Sequence, residues 1–237
     1  MLDKRQFYIN GQWVDPLEGT DFDIIDPSTE EVVGQIALGG QGDTDAAVAA
    51  AKESFKTWQL TSKAERLALC HKIHEVYTRR AEDMAQAIAT EMGAPIDMSR
   101  TQQVGAGAWH MDGFFKAAES WEPVQKLGDH APEDRVLYDP VGVCALITPW
   151  NWPMNQIVLK VFPALIAGNT MVLKPSEVAP LSGHLWAEIM DAAGTPPGVF
   201  NLVNGDGPGV GTQPVSYTHL RAHETKAHLG CRLLREK

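Results

Sequence analysis

Asn151 stands in "TPWNWP", between two tryptophans and two prolines, where an apolar run stops and a helical pattern begins. A carboxamide fixed there by rings and prolines can donate a hydrogen bond to an oxygen that gains negative charge in an acyl-type transition state, as half of an oxyanion hole. The same residues also read as a proline-punctuated turn that Trp150 and Trp152 anchor in the core. Lys174, in "LKPSE", is followed by Pro175, Ser176 and Glu177. That pattern fits an exposed charged loop, and it fits equally a grip on the ribose hydroxyls of a dinucleotide, with the acidic group as acceptor. The glycine-rich "GDGPGVG", residues 205–211, misses the GxGxxG phosphate fingerprint, because Val210 occupies the place of a third glycine after Gly205 and Gly207. Gly207 and Pro208, at a helix start, still let a ring approach the backbone closely. Lys160, nine residues past Asn151 on an apolar helical pattern, either reaches back toward the same cleft or extends to solvent. Cys70 falls on an apolar helix face and Cys144 inside a strand pattern, and neither has activating neighbours, so both read as packing residues.

Secondary structure must bring these residues together. "FYINGQWV" carries an Asn-Gly turn between aromatic and β-branched residues and predicts a short hairpin, and "FDIIDP" is a further extended piece. From Asp43 the spacing of Val48, Ala51, Phe55 and Trp58 predicts an amphipathic helix, with Asp43 or Thr44 as its N-cap. Ser62 and Glu65 form a capping box for a helix running to Met92, where Gly93 and Pro95 end it, and another helix covers Ile96 to about Ser120. Then "VGVCALIT", "NQIVLKVFPALIAG", "TMVLKP", "PLSGHLWAEIMDAAG" and "GVFNLVNGD" alternate strand, helix, strand, helix, strand. Short, continuously apolar strands with helical crossovers require a parallel sheet covered on both faces. The fold class is therefore α/β: an incomplete, Rossmann-like parallel sheet flanked by helices and preceded by an N-terminal hairpin and helices. Ligands of such sheets bind beyond the carboxyl ends of the strands, where 148–152, 174–177 and 205–211 fall.

Composition narrows the function classes. With 44% hydrophobic residues the chain can bury a substantial core, and a formal net charge of -10 opposes binding to a phosphate backbone, so no nucleic-acid partner is expected. Three scattered cysteines without a CxxC pair or a histidine cluster predict neither a disulfide framework nor a metal site. No leader-like apolar stretch and no membrane-spanning run is present, which places the protein in the cytoplasm. The last 24 residues differ, with five basic against two acidic residues and three of the eight histidines.

Together "FYINGQWV", "TPWNWP", "LKPSE" and "GTPPGVFNLVNGDGPGVG" closely resemble the NAD(P)-dependent aldehyde dehydrogenase superfamily, over about residues 5 to 213 and in the family's order. The resemblance implies oxidation of an aldehyde to a carboxylic acid with NAD, or NADP, as cofactor. A cysteine thiolate attacks the aldehyde, hydride passes to the nicotinamide, and water activated by a glutamate hydrolyses the thioester. It further implies that Asn151 helps hold the oxyanion, that Lys160 belongs to the active-site surroundings, and that Lys174 and Glu177, beside Ser176, bind the adenosine ribose. Thr148, Pro149 and Trp150 would line the cofactor site, Gly207 would flank the adenine with Pro208 and Gly211 in the same loop, and Trp152 and Gln156 would line one wall of the aldehyde tunnel. Glu177 favours NAD, since its carboxylate suits a ribose 2′-hydroxyl and repels a 2′-phosphate.

In the family the nucleophile and the general base lie well downstream. Residues 1–213 therefore resemble the N-terminal part of the cofactor domain, with a hairpin at about 123–140 that family oligomers use. Residues 214–237, with Cys231, match no family motif and look like a translated adaptor or frameshift product. The parent protein is expected to be a homodimer or homotetramer, and this chain an inactive fragment. The alternative is a short non-catalytic module that binds a dinucleotide or serves assembly.

Overall fold

The computed structural model of the chain describes residues 1–213 and 221–223. After β1 (Leu2–Lys4) comes the hairpin of β2 (Phe7–Ile9) and β3 (Gln12–Val14). Its turn residues Asn10 and Gly11 have φ of 53° and 76°, the left-handed pair that a type I′ turn requires. β4 (Thr20–Asp26) and β5 (Glu31–Leu38) pair antiparallel, and β1 joins β5 in parallel to make a three-stranded sheet.

Five helical segments follow: α1 (Gln41–Trp58), α2 (Lys63–Arg79), α3 (Ala81–Met92), the short α4 (Ile96–Met98) and α5 (Val104–Ser120), with a π turn over Ser99–Gln103 between the last two. The helices differ from the predicted ones at three places. The cap of α1 is Gly40, and Asp43 sits inside the first turn, where its carboxylate accepts from the Gly40 and Leu17 amides at 2.9 and 2.7 Å. The helix from Lys63 is broken at Arg80, whose φ of -100° and ψ of 15° leave the helical region, so α3 begins as a separate helix at Ala81. The helix predicted over Ile96 to Ser120 is interrupted by the π turn, which adds one residue to a turn and shifts the facing of everything after it.

A short antiparallel hairpin, β6 (Val124–Lys126) and β7 (Arg135–Leu137), exposes Val124, Leu137 and Tyr138. Next come β8 (Val143–Ile147), α6 (Pro153–Ile166), β9 (Thr170–Lys174), α7 (Leu181–Ala192), β10 (Phe200–Leu202), a single π-type turn at Gly207–Gly211, and β11 (Arg221–His223). The sheet order is β11-β8-β9-β10-β2-β3, with β8 through β11 parallel and β2 antiparallel to β10. The N-terminal hairpin thus does more than precede the parallel sheet: it extends the sheet's edge and makes it mixed. β11 lies in the segment read as foreign to the family; the rest of 214–237, Cys231 included, lies outside the described residues.

The uninterrupted apolar character of the strands follows from burial on both faces. Cys144, Leu146, Met171 and Leu173 face a core built with Tyr77, Phe162 and Trp186 from α2, α6 and α7. Val143 and Val172 face the other way, onto Val48 and Ala51 of α1. Among the described residues no helix is long and apolar enough to cross a membrane, and no group of three or more His, Cys, Asp and Glu could hold a metal ion.

Candidate functional site

Register places the three candidate segments side by side. Ile147 pairs with Lys174, and Leu173 with Leu202, so β8, β9 and β10 end at one level. The ladder runs one step further: the Thr148 amide donates to the Lys174 carbonyl at 3.1 Å and the Val203 amide to the Leu173 carbonyl at 3.1 Å. In the order β10-β9-β8-β11 the chain returns past β8 to reach its next strand, and the crevice beyond such a reversal is where open α/β sheets take ligands.

Beyond β8, Thr148 is buried, Pro149 half-buried and Trp150 54% exposed. Asn151 is exposed, and its backbone carbonyl accepts from Gln103 Nε2 at 3.5 Å. The carboxamide is therefore presented outward at the sheet's mouth. Trp152 is the N-cap of α6, with a non-helical backbone of φ -145° and ψ 70°, and Pro153 at the first helical position suits that start, since its missing amide would have no partner there. About two turns on, Lys160 does not extend to solvent: it is 4% exposed, and its Nζ donates to Gln156 Oε1 at 3.2 Å. Burial pushes the Lys160 amine down from its ordinary pKa.

At the end of β9, the buried Lys174 Nζ lies 2.9 Å from Glu177 Oε2, whose side chain is partly open to solvent. Ser176 is half-buried and its carbonyl accepts from Ala179, closing the loop before α7. A Cβ placed on Gly211 would stand 3.9 Å from Lys174 Cε, so the glycine-rich turn lies against this pair. Asp206 caps that turn, accepting from the Gly209 amide at 2.7 Å, while Gly207 and Pro208 are exposed and nothing crowds Gly207 within 4 Å. The valine that breaks the glycine fingerprint is a core residue: Val210 is fully buried, and a Cβ on Gly205 would collide with it at 2.4 Å. Two groups result, Lys174, Glu177 and Gly211 on one side and Asn151, Gln156 and Lys160 on the other, and among the described residues no hydrogen bond joins them.

Two residues behind the site were not singled out in the sequence. Glu91 is fully buried and its carboxylate accepts from the Leu181 and Ser182 amides, the second at 3.2 Å, which docks the start of α7 and so the loop from Lys174. Burial pushes its pKa up to about 7 against the lowering effect of those bonds. Gln103, at the end of the π turn, reaches the Asn151 loop. Nothing local marks either residue, since their partners are 90 and 48 positions away. Cys70 and Cys144 are buried, and burial pushes their thiols up to about 12 and about 11, away from nucleophilic thiolates.

Residues 13–223 match the family model of the aldehyde dehydrogenase family. The chain is 49% identical over 212 residues to the 3-succinoylsemialdehyde-pyridine dehydrogenase of a Pseudomonas species, covering 89% of this chain and 44% of that protein. Its structure superposes on an aldehyde dehydrogenase from Bartonella henselae with a TM-score of 0.92 and 52% identity, over 93% of this chain and 46% of the other. Aldehyde dehydrogenase C from Pseudomonas syringae, solved with NAD+ and octanal, gives a TM-score of 0.87 at 44% identity, over 91% and 44% of the two chains. The chain thus spans a little under half the length of the relatives it matches, and on this footing it belongs to the aldehyde dehydrogenase family.

Proposed function

We propose that this chain is the nucleotide-binding portion of an NAD-dependent aldehyde dehydrogenase that oxidises an aldehyde to a carboxylic acid. The observation that carries the reading is the pair of Lys174 and Glu177, 2.9 Å apart at the carboxyl end of β9, level with Thr148 and beside Gly211. An ammonium and a partly open carboxylate supply the donor and acceptor that two neighbouring ribose hydroxyls need. The uncrowded Gly207, with Pro208, leaves room for a flat ring, so the residues present fit a dinucleotide. Thr148, Pro149 and the exposed ring of Trp150 line the opposite wall, and Ser176 flanks the ribose pair. Glu177 disfavours a 2′-phosphate, which selects NAD over NADP.

When bound, NAD would supply the hydride acceptor. The chain's own part in the chemistry is electrostatic: Asn151 donates its amide N–H to the aldehyde oxygen as that oxygen gains charge. Trp152 and Gln156 line one side of the aldehyde's path, and Lys160 fixes Gln156 from within the helix. The resemblance puts the nucleophilic cysteine and the general-base glutamate downstream of the matched segment, and neither buried cysteine here replaces the first. On its own the chain then acts as a non-catalytic dinucleotide-binding module.

Titration calorimetry of the purified chain tests this. Saturable binding of NAD is expected, with NADP weaker, and Glu177→Ala should lower NAD affinity about tenfold, as loss of charge-assisted hydrogen bonds does. Absence of binding, or equal affinity in the variant, would overturn the assignment.

A further inference from the structure

Gln103 is fully buried, yet it is the least satisfied amide near the sheet's mouth. Its Oε1 has no hydrogen-bond partner among the described residues, and its Nε2 reaches only Met92 Sδ at 3.9 Å and the Asn151 carbonyl oxygen at 3.5 Å. A buried amide with an unmatched acceptor weakens a fold, and an apolar residue of the same shape would serve packing better. The residue also closes the π turn Ser99–Gln103, a distortion uncommon in helices and concentrated where function dictates the facing of a side chain.

The consequence of that turn is visible one and two turns later. Gln103 at the end of the π turn shares one stripe with Gly107 and His110 of α5, at spacings of four and three. A Cβ on Gly107 would meet Tyr77 Oη at 2.5 Å and then Met154 Cβ at 3.4 Å, and His110 Nε2 lies 2.6 Å from Asn155 Oδ1. The stripe therefore meets residues 151–155 in order, with Gln103 at the carbonyl of Asn151. Had the helix run on without the extra residue, the stripe would have turned away by about a third of a turn.

We propose that Gln103 is a positioning residue for Asn151: the π turn brings its amide against the Asn151 carbonyl, and this contact fixes the backbone from which the outward carboxamide projects. The inference rests on the reading of Asn151 as an oxyanion donor.

The test compares the wild-type chain with Gln103→Met and, as a second apolar replacement, Gln103→Leu, by hydrogen exchange and thermal unfolding without cofactor. Exchange in peptides covering 148–155 should quicken about threefold, the effect of one weak hydrogen bond, with peptides of α2 and β9 unchanged. The unfolding temperature should stay or rise, because the unmatched acceptor has gone. A fall in unfolding temperature with faster exchange throughout, or loss of folding in both variants, would make Gln103 an ordinary core residue and overturn the proposal. So would unchanged exchange over 148–155. With no nucleotide present, the result is independent of the NAD titrations that test the binding site itself.

Discussion

At the scale of single residues, the site depends on polar groups taken out of water and held by backbone. Glu91 gives the fold a pH dependence of its own, because it is buried at the N-terminus of α7 with two amides directed at its carboxylate. Burial outweighs those bonds and raises its pKa from 4.5 to about 7. The protonated form is then favoured by folding. Below pH 4.5 the carboxyl is protonated in both states and its contribution to stability is intact. As pH rises toward 7 the unfolded chain ionises first, and the contribution is lost through the folded pKa. From pH 4.5 to 8 this single group should remove on the order of 3 kcal/mol of stability. In Glu91→Gln that part of the pH dependence should vanish, and chemical unfolding at pH 5 and pH 8 checks it: equal slopes in variant and wild type would refute the ionisation argument.

At the scale of elements, the clearest dependence is the seating of α1. Asp43 is buried within its first turn, where one carboxylate joins the helix start at Gly40 to the amide of Leu17 in the loop before β4. Asp43→Ala should cost about 2 kcal/mol by leaving both donors without an acceptor, while Asp43→Asn, which keeps one acceptor, should cost less. Denaturant midpoints with unchanged slopes would measure this, and a neutral alanine variant would show that water replaces the carboxylate.

The same elements show how far the sequence could be read. The Asn-Gly hairpin and the strand-helix alternation after Val143 were legible because their signals are local: positive-φ residues in the turn, and apolar runs too short for helices. The hairpin's place at the sheet edge was not, since pairing of Tyr8 with Leu202 spans nearly the whole chain. β5 was missed because Gly34 interrupts its run, and the break at Arg80 because neither it nor Ala81 is a helix breaker. The position of Lys174, Glu177 and Gly211 in one group followed from strand ends alone. Gln103 and Glu91 did not, because a buried amide and a buried carboxylate are defined by distant partners.

At the scale of the whole chain, the geometry separates binding from chemistry. The strand ends, the Lys174–Glu177 pair and Asn151 all lie in the described residues, at the carboxyl ends of β8 and β9. An attacking group is a different matter. Cys70 faces the α2 core and Cys144 the interior of β8, where burial keeps both thiols protonated near neutral pH. The folded chain should therefore leave Cys70 and Cys144 unmodified by iodoacetamide at pH 8, with both labelled once the chain is unfolded, as peptide mapping would read. The same preparation, supplied with NAD and a medium-chain aldehyde, should form no NADH above the buffer rate. Labelling of Cys144 in the folded chain would contradict the burial on which the argument stands. Aldehyde-dependent NADH formation abolished by Asn151→Ala would show instead that the chain carries a nucleophile that neither buried cysteine supplies.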